Sequence, residues 1–578
     1  MVRVAALQFA SGTDVDRNLA TCLRMIDTAQ AEKPELLVLP EFSNHISWYD
    51  DAEHARRVAV TADGPFLRAI GERAARYACY IVVNVSLRHS NGGLTISSVM
   101  FDSAGNLVSV ADKQTLMGHE NTWFQRAEHT SEVLATPLGR LAMFPCRDGV
   151  TCETPRGLAL RGAQLFCDSL NSFALDEATL HVPARAPENK VFLVAANKVG
   201  PLIPEQLLAA VSEQTHIPMR FLMGAGGSQI VSPSGEILAR GPVAGEAVVV
   251  ADVDLAEADN KRRPDGTHIF AARRPELYQP IAALPSGPSC RAAAESVGVA
   301  LLAPAGVGES ALDELPRLVA SLPPNTVLAV LPELFCYRHT PGADLAADAR
   351  LAERAIEAMR SACEARTDLV LCASLVLPVA DGCGLVAVLV NADGVLARQC
   401  QLHYCQRHAW SVLGDGLEPV DLAWGRVVLL PGDDAVHPEL VKVAALAGAH
   451  ALVLPFAMQE SWEEAYGLRS RAAENRMCVV ASSRPLAGRA GLIASLEREF
   501  TLMTPWQCRQ FDGYINAPLV TEQQAGTLVT AGQIHPDAAA NKLMSERTDL
   551  LLDRPWQLSG DLLLHWQDSS GKTYAGNT

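Results

Sequence analysis

Aromatic residues are scarce in this chain, at 6%, and charged residues make up only 20%. No uninterrupted apolar run approaches the roughly 18 residues that a membrane-spanning helix requires, so no membrane partner is expected. Positive charge is also short. Lys and Arg number 48 against 65 Asp and Glu, and the net charge of −17 argues against a nucleic-acid surface, which needs clustered cations. The opening Met-Val-Arg-Val-Ala-Ala-Leu-Gln-Phe-Ala lacks an apolar secretion core and reads as a β-strand. The 14 cysteines follow no disulfide-framework spacing, so reduced thiols in a cytoplasmic protein are expected. What the chain does have is apolar mass, 49% of 578 residues. That is enough to bury a full core, and it excludes disordered, collagen-like and coiled-coil classes.

The first half alternates short apolar runs with helical patterns, the mark of a layered α/β domain. Strands are expected at Val2–Phe9, Leu36–Leu39, Leu107–Ala111, Leu141–Pro145 and Ala163–Asp168, with helices at Asp16–Ala29 and Pro65–Tyr77. From Leu284 to Ser289 the chain turns Pro/Gly/Ser-rich and reads as a linker. The sequence beyond it repeats the first half. Leu39-Pro40-Glu41-Phe42 returns as Leu331-Pro332-Glu333-Leu334, and Arg185-Ala186-Pro187-Glu188-Asn189 as Arg471-Ala472-Ala473-Glu474-Asn475. Asn260-Lys261 returns as Asn541-Lys542. A repeat this long is a duplicated domain, since solenoid repeats are far shorter. The expected organisation is a first domain over 1–280, a linker over 281–291, a second domain over 292–558 and a loose tail over 559–578.

Glu41, Lys113 and Cys146 each stand at or just beyond the carboxyl end of a predicted strand, and Asp148 follows the cysteine. Such positions share a crevice in α/β sheets, where ligands commonly bind. A carboxylate, an ammonium and a thiol gathered there make a nucleophilic catalyst: Lys favours the thiolate, and Glu takes its proton.

These residues resemble the nitrilase-like carbon–nitrogen hydrolases over roughly residues 1–280. The resemblance rests on Leu39-Pro40-Glu41, on Lys113, and on Cys146-Arg147-Asp148 followed by Glu153 and Arg156. It continues through Arg185–Asn189, Ala196-Asn197-Lys198-Val199-Gly200 and Gly227-Ser228-Gln229-Ile230. It implies an α-β-β-α sandwich, a catalytic triad of Glu41, Lys113 and Cys146, a second active-site carboxylate at Glu120, and no cofactor or metal. The chemistry it implies is attack by Cys146 on an amide, N-carbamoyl amine or nitrile carbon, with a thioester intermediate. Trp48, Arg147 and Asn171 are expected to meet the substrate.

Carrying the same spacing into the second half puts Gly432 at the nucleophile, so no thioester can form there. The Lys position falls on Gln399 or Leu402, and that of Glu120 on Gln406. Glu333 remains without a nucleophile. The second half therefore reads as a pseudo-catalytic copy that supplies an internal dimerisation partner, which leaves further self-association open. Cys400, His403, Cys405 and His408 have zinc-ligand types, but as strand neighbours they face opposite sides, so no metal site is assigned. Gly224-Ala225-Gly226-Gly227 fails the dinucleotide spacing and marks a close backbone approach instead.

Nitrilases of this family carry Cys-Trp-Glu at the nucleophile, whereas this chain has Cys146-Arg147-Asp148, which is similar to the amidase and carbamoylase branches. Thr151-Cys152 stands where Phe/Tyr-Pro is usual before Glu153, so the pocket is expected to be unusual. A small linear amide is the expected substrate, with an N-carbamoyl amine and then a nitrile as alternatives; a non-catalytic scaffold is the competing class.

Overall fold

The computed structural model describes residues 1–287, 291–338 and 340–567. The chain forms two compact units, and neither is a contiguous half. The first unit is Met1–Lys261 with Glu499–Ile515 and Leu543–Leu562. The second is Arg262–Arg498 with Asn516–Lys542 and Leu563 onward.

This division differs from the expected boundaries at 280, 292 and 558, and the recurring Asn-Lys pair explains where it falls. In the first unit the Lys261 ammonium donates to the carbonyls of Asn189 and Lys190, at 3.0 and 2.8 Å. In the second, Lys542 donates to those of Asn475 and Arg476, both at 2.8 Å. Each lysine pins the end of its unit's own segment, and the residues after it pack elsewhere. The expected linker begins inside the helical turn Gln279–Ala282, and its residues 288–290 lie outside the described residues. The expected loose tail starts as a packed turn, Gly560–Leu563, with Leu562 buried; residues 568–578 lie outside the description.

Residues 1–261 of the first unit hold twelve strands. They are β1 (Val2–Gln8), β2 (Leu36–Val38), β3 (Tyr80–Arg88), β4 (Leu94–Phe101), β5 (Leu107–Asp112), β6 (Val133–Thr136), β7 (Gly139–Pro145), β8 (Leu165–Ser169), β9 (Phe192–Ala196), β10 (Gln229–Val231), β11 (Ile237–Arg240) and β12 (Ala247–Val253). They form two six-stranded sheets, ordered β12-β1-β2-β3-β4-β5 and β11-β10-β9-β8-β7-β6. The centres are parallel, β1-β2-β3 and β7-β8-β9, while the flanking pairs are antiparallel.

The alternation of each strand sets the layers. Val2, Val4 and Ala6 of β1 pack with Leu141 and Met143 of β7 in the core between the sheets. Ala5 and Leu7 face the other way, onto helices. Those helices are α1 (Val15–Ala29), α2 (Ala52–Val58) and α3 (Pro65–Tyr77). α1 is capped by Asp14, whose carboxylate accepts the Asp16 and Arg17 N–H groups, and it buries Cys22, Met25, Ile26 and Ala29 at helical spacing. Truncating Ile26 to Ala would cost about 2–5 kcal/mol. α3 starts with Pro65 at its first turn and stops at Ala78, which is left-handed at φ 50°. On the second sheet lie α5 (Arg147–Val150), α6 (Glu153–Leu160) and α7 (Val182–Asn189), with α5 and α6 packing on β7 and α7 on β9; α4 (Glu120–Trp123) and α8 (Leu208–Thr215) follow in loops beyond the strands. The product is the expected α-β-β-α sandwich.

The second unit repeats the plan. Its sheets run Gly394–Cys400, Gly382–Asn391, Val370–Val379, Thr326–Val330, Val297–Leu302, Val529–Ile534 and, in the other, Val420–Leu422, Gly425–Leu429, Ala451–Ala457, Cys478–Leu486, Arg489–Ser495, Leu519–Gln524. Val299, Leu301, Val427 and Val453 lie between these sheets, while Leu315 and Met359 bring helices onto the first. Among the described residues no helix is long and apolar enough to cross a membrane.

Candidate functional site

Three strand ends, two from one sheet and one from the other, open the site of the first unit. Glu41 follows β2, and its N–H donates to the Leu170 carbonyl beyond β8 at 3.1 Å. The Ser169 hydroxyl donates to the Leu39 carbonyl at 2.8 Å, a second tie between the sheets. Lys113 continues β5 on extended backbone, its N–H on the Ile96 carbonyl at 2.8 Å. Cys146 ends β7 with φ 45° and ψ −102°, a conformation that costs a side-chain-bearing residue on the order of 1–3 kcal/mol. Its N–H donates to Asp168 at 3.1 Å, and Gly149 N–H returns to its carbonyl at 2.8 Å. Only glycine fits at 149, because a Cβ there would stand 2.8 Å from the Phe144 ring.

These residues converge. The Lys113 ammonium lies 2.7 Å from Glu41 Oε1 and 3.0 Å from the Glu120 carboxylate, all three being buried. Glu120 is held in turn by the Met117 N–H at 2.7 Å. Cys146 and Asn171 border the same cavity as Glu41 and Lys113. It measures about 160 Å³, with Glu120, Trp48 and Arg147 also in its wall. Of the stretch Trp48–Asp51, only Trp48 reaches the cavity. Tyr49 packs against Trp123 and Phe124, and Asp51 caps α2.

Burial governs the protons. It pushes the Glu41 carboxyl up to about 7, against the pull of Lys113. Burial and then Glu41 raise the Cys146 thiol well above its ordinary value, although Lys113 opposes them. Burial lowers Lys113, yet Glu120 and Glu41 outweigh it and keep the ammonium charged. The resting arrangement is therefore a thiol that holds its proton more tightly than usual, a carboxyl raised to about 7 at the same cavity, and a fixed cation between two carboxylates.

Sequence reasoning did not single out Glu177 or Asp168 as site residues. Glu177 lines the cavity, and burial followed by Asp176 raises it to about 8. Asp168 anchors the nucleophile's N–H; its signal was a lone carboxylate ending the apolar strand Leu165-Phe166-Cys167. Asp148 accepts the N–H groups of Gln114 and Thr115, both at 2.8 Å, and so fixes the turn after Lys113. Arg147 is buried, and its Nε and Nη1 have no hydrogen-bond partner; the Asn171 Oδ1 is likewise buried and unpartnered. Gly224 does mark a close approach, for a Cβ there would stand 2.4 Å from the Lys198 carbonyl.

The same turn in the second unit settles the register left open above. Leu402 and His403 N–H groups donate to Asp434, as Gln114 and Thr115 do to Asp148, and Gln401 N–H donates to the Leu385 carbonyl. Gln401, not Gln399 or Leu402, thus replaces the lysine. His408, not Gln406, lies as far beyond it as Glu120 lies beyond Lys113. The stretch from this position to the nucleophile turn is 31 residues in the second unit, Gln401 to Gly432, against 33 from Lys113 to Cys146, and that difference shifted the count. Gly432 stands at the nucleophile turn with φ 63°. Arg407 binds Glu333 through Nη2 at 3.0 Å and Asp433 through Nη1 at 2.6 Å, while His408 Nε2 lies 3.2 Å from Glu333. Burial raises Glu333, but Arg407 and His408 outweigh it and hold it at about 2. The four zinc-type residues do not assemble: His403 pairs with Asp434, and Cys405 lies 3.3 Å from His408 Nδ1. Among the described residues, Asp265, Cys405 and Asp433 come close enough to share an ion, but Arg263 and Arg407 already occupy Asp433.

A sandwich of this kind with a thiol, an ammonium and two carboxylates at the strand ends defines a nitrilase-like hydrolase. Residues 3–263 match the family model "Carbon-nitrogen hydrolase". Over those residues the chain is nitrilase-like, similar to that family. The chain is 27% identical to a nitrilase of Pyrococcus abyssi over 280 residues, 48% of this chain and 99% of that protein. It is 26% identical to an N-carbamoylputrescine amidase of Solanum tuberosum over 301 residues, covering 49% of this chain and 96% of that one. An amidase structure from Nesterenkonia sp. aligns at 23% identity over 45% of this chain and 93% of its own, with a TM-score of 0.37.

Proposed function

We propose that the first unit hydrolyses a small linear amide to acid and ammonia through a thioester on Cys146. Glu41 takes the thiol proton as sulfur attacks the carbonyl carbon. The Lys113 ammonium and the Arg147 backbone N–H receive the oxyanion. As the tetrahedral intermediate collapses, the C–N bond breaks and Glu41 returns its proton to the leaving amine. A water then loses a proton to Glu41 and attacks the thioester; acid departs and the thiol is restored. Glu120 fixes the Lys113 ammonium, and Trp48, Arg147 and Asn171 hold the substrate, the last two through their unpartnered buried polar atoms. No step needs a cofactor.

The observation that carries this reading is the meeting of Cys146, Glu41 and Lys113 at one buried cavity. Its test is ammonia release by the full chain and by Cys146→Ala from matched amides, N-carbamoyl amines and nitriles. Ammonia from amides that vanishes in the variant is expected; equal ammonia from both proteins would refute it. Similarity to N-carbamoylputrescine amidases supports a second reading, an N-carbamoyl amine substrate, which carbon dioxide release would distinguish.

The second unit, we propose, is non-catalytic, because Gly432 offers no nucleophile and Arg407 neutralises Glu333.

A further inference from the structure

Five residues bordering the first-unit cavity come from the far end of the sequence: Leu502, Met503, Ile515, Met544 and Ser545. Four of the five are apolar. They belong to the segments Glu499–Ile515 and Leu543–Leu562 that complete the first unit. Behind them Phe500, Phe511 and Leu550 pack with Ile203, Leu208 and Leu222 into one continuous apolar cluster.

We infer that these two segments form an acyl-chain subsite, selecting an amide whose acyl group is an unbranched apolar chain of medium length. This rests on the amidase reading above and names its substrate class. The walls are held rigidly, which favours binding because little order is lost. Leu502 N–H donates to the Met544 carbonyl at 2.8 Å and joins the two segments. Ile515 N–H donates to Asp176 at 2.5 Å, and Leu175 N–H to the Gly513 carbonyl at 2.8 Å, which fixes the loop carrying Asn171 and Glu177. Gly118 N–H donates to the Thr548 hydroxyl at 2.9 Å, and that hydroxyl donates to the Leu116 carbonyl at 3.0 Å, bracing the loop that carries Glu120.

Size sets the chain length. A cavity of about 160 Å³ far exceeds the roughly 10–15 Å³ that admits a single water, so beyond the carboxamide it has room for a chain of medium length. Met503 and Met544 are unbranched and adaptable, suited to a flexible chain rather than to a rigid ring.

The test is kcat/KM of the full chain for straight-chain primary amides from propionamide to decanamide. Each methylene buried should raise it about fourfold, up to about octanamide, after which it should fall. In Met544→Trp the octanamide-to-propionamide ratio should drop about tenfold or more. Met503 is 44% exposed, so Met503→Asp leaves the fold intact if the tryptophan variant does not fold. It should lower the same ratio by placing a charge beside the chain. A flat series with short amides turned over, or a ratio unmoved in the folded variants, overturns the subsite alone. Ammonia from none of the amides overturns the amidase reading on which it rests.

Discussion

Cys146 and Gly432 occupy the same turn in two copies of one domain, with φ at 45° and 63°. In one copy the strained turn carries a thiol at the cavity that Lys113 and Glu41 border; in the other it carries a hydrogen atom, and the strain is gone.

Restoring the thiol in the second copy should not restore chemistry. A Cβ at 432 would stand 3.0 Å from the Gln401 side chain, and Arg407 bonds the carboxylate that would act as base. The double variant Cys146→Ala/Gly432→Cys is expected to release no ammonia above the Cys146→Ala background. Recovered turnover would show that the second unit lacks only its nucleophile.

Lys113 neutralises two buried carboxylates at once. Lys113→Met should therefore lose activity and also about 3–5 kcal/mol of stability, because Glu41 and Glu120 would stay buried without their counter-charge. Urea unfolding midpoints of variant and wild type measure this. An undiminished midpoint would mean that the ion pairs contribute nothing to folding.

The pH dependence follows from Glu41. Its carboxyl is raised to about 7 and must be ionised to accept the thiol proton. kcat/KM should fall tenfold per pH unit below about 7 and level off above it. Rates for a neutral amide between pH 5 and 8 read this limb directly. A profile flat down to pH 5 would remove Glu41 from the role of base.

Arg407 should stabilise the second unit in a pH-dependent way. Glu333 is depressed to about 2 from its ordinary 4.5, so its contribution is complete above pH 4.5 and is lost as pH falls toward 2. Arg407→Ala should destabilise the protein by about 3–5 kcal/mol at neutral pH, with Glu333 and Asp433 left buried without that partner. Thermal melts across pH 3–7 test both points; superimposable curves would contradict them.

Much of this was legible in the residues. Val2–Gln8 was legible as a short continuous apolar run, since both its faces are buried, and Pro65–Tyr77 because one face is apolar at helical spacing. Glu41, Lys113 and Cys146 were readable because each follows a strand whose end is marked by a change in polarity. Gln401 was not, since the stretch between it and Gly432 is two residues shorter than that between Lys113 and Cys146, and a deletion there leaves no sequence mark. The return of Leu543–Leu562 to the first unit was hidden too. Its apolar residues Met544 and Leu550 look like any others, and only the distant partners Ile203 and Leu222 give them meaning. The Lys261 and Lys542 anchors were noted as a repeat, but their hydrogen-bond partners lie about 70 residues away.

The central claim is a thioester on Cys146, and mass spectrometry of the quenched enzyme tests it most directly. Wild type quenched during turnover of an amide should carry a mass increase equal to the acyl group, mapped to the peptide containing Cys146. Glu41→Gln, which lacks the base for both attack and deacylation, and Cys146→Ala, which lacks the thiol, should show none. Turnover of the same amide by Cys146→Ala, or an adduct on any other residue, would contradict the account.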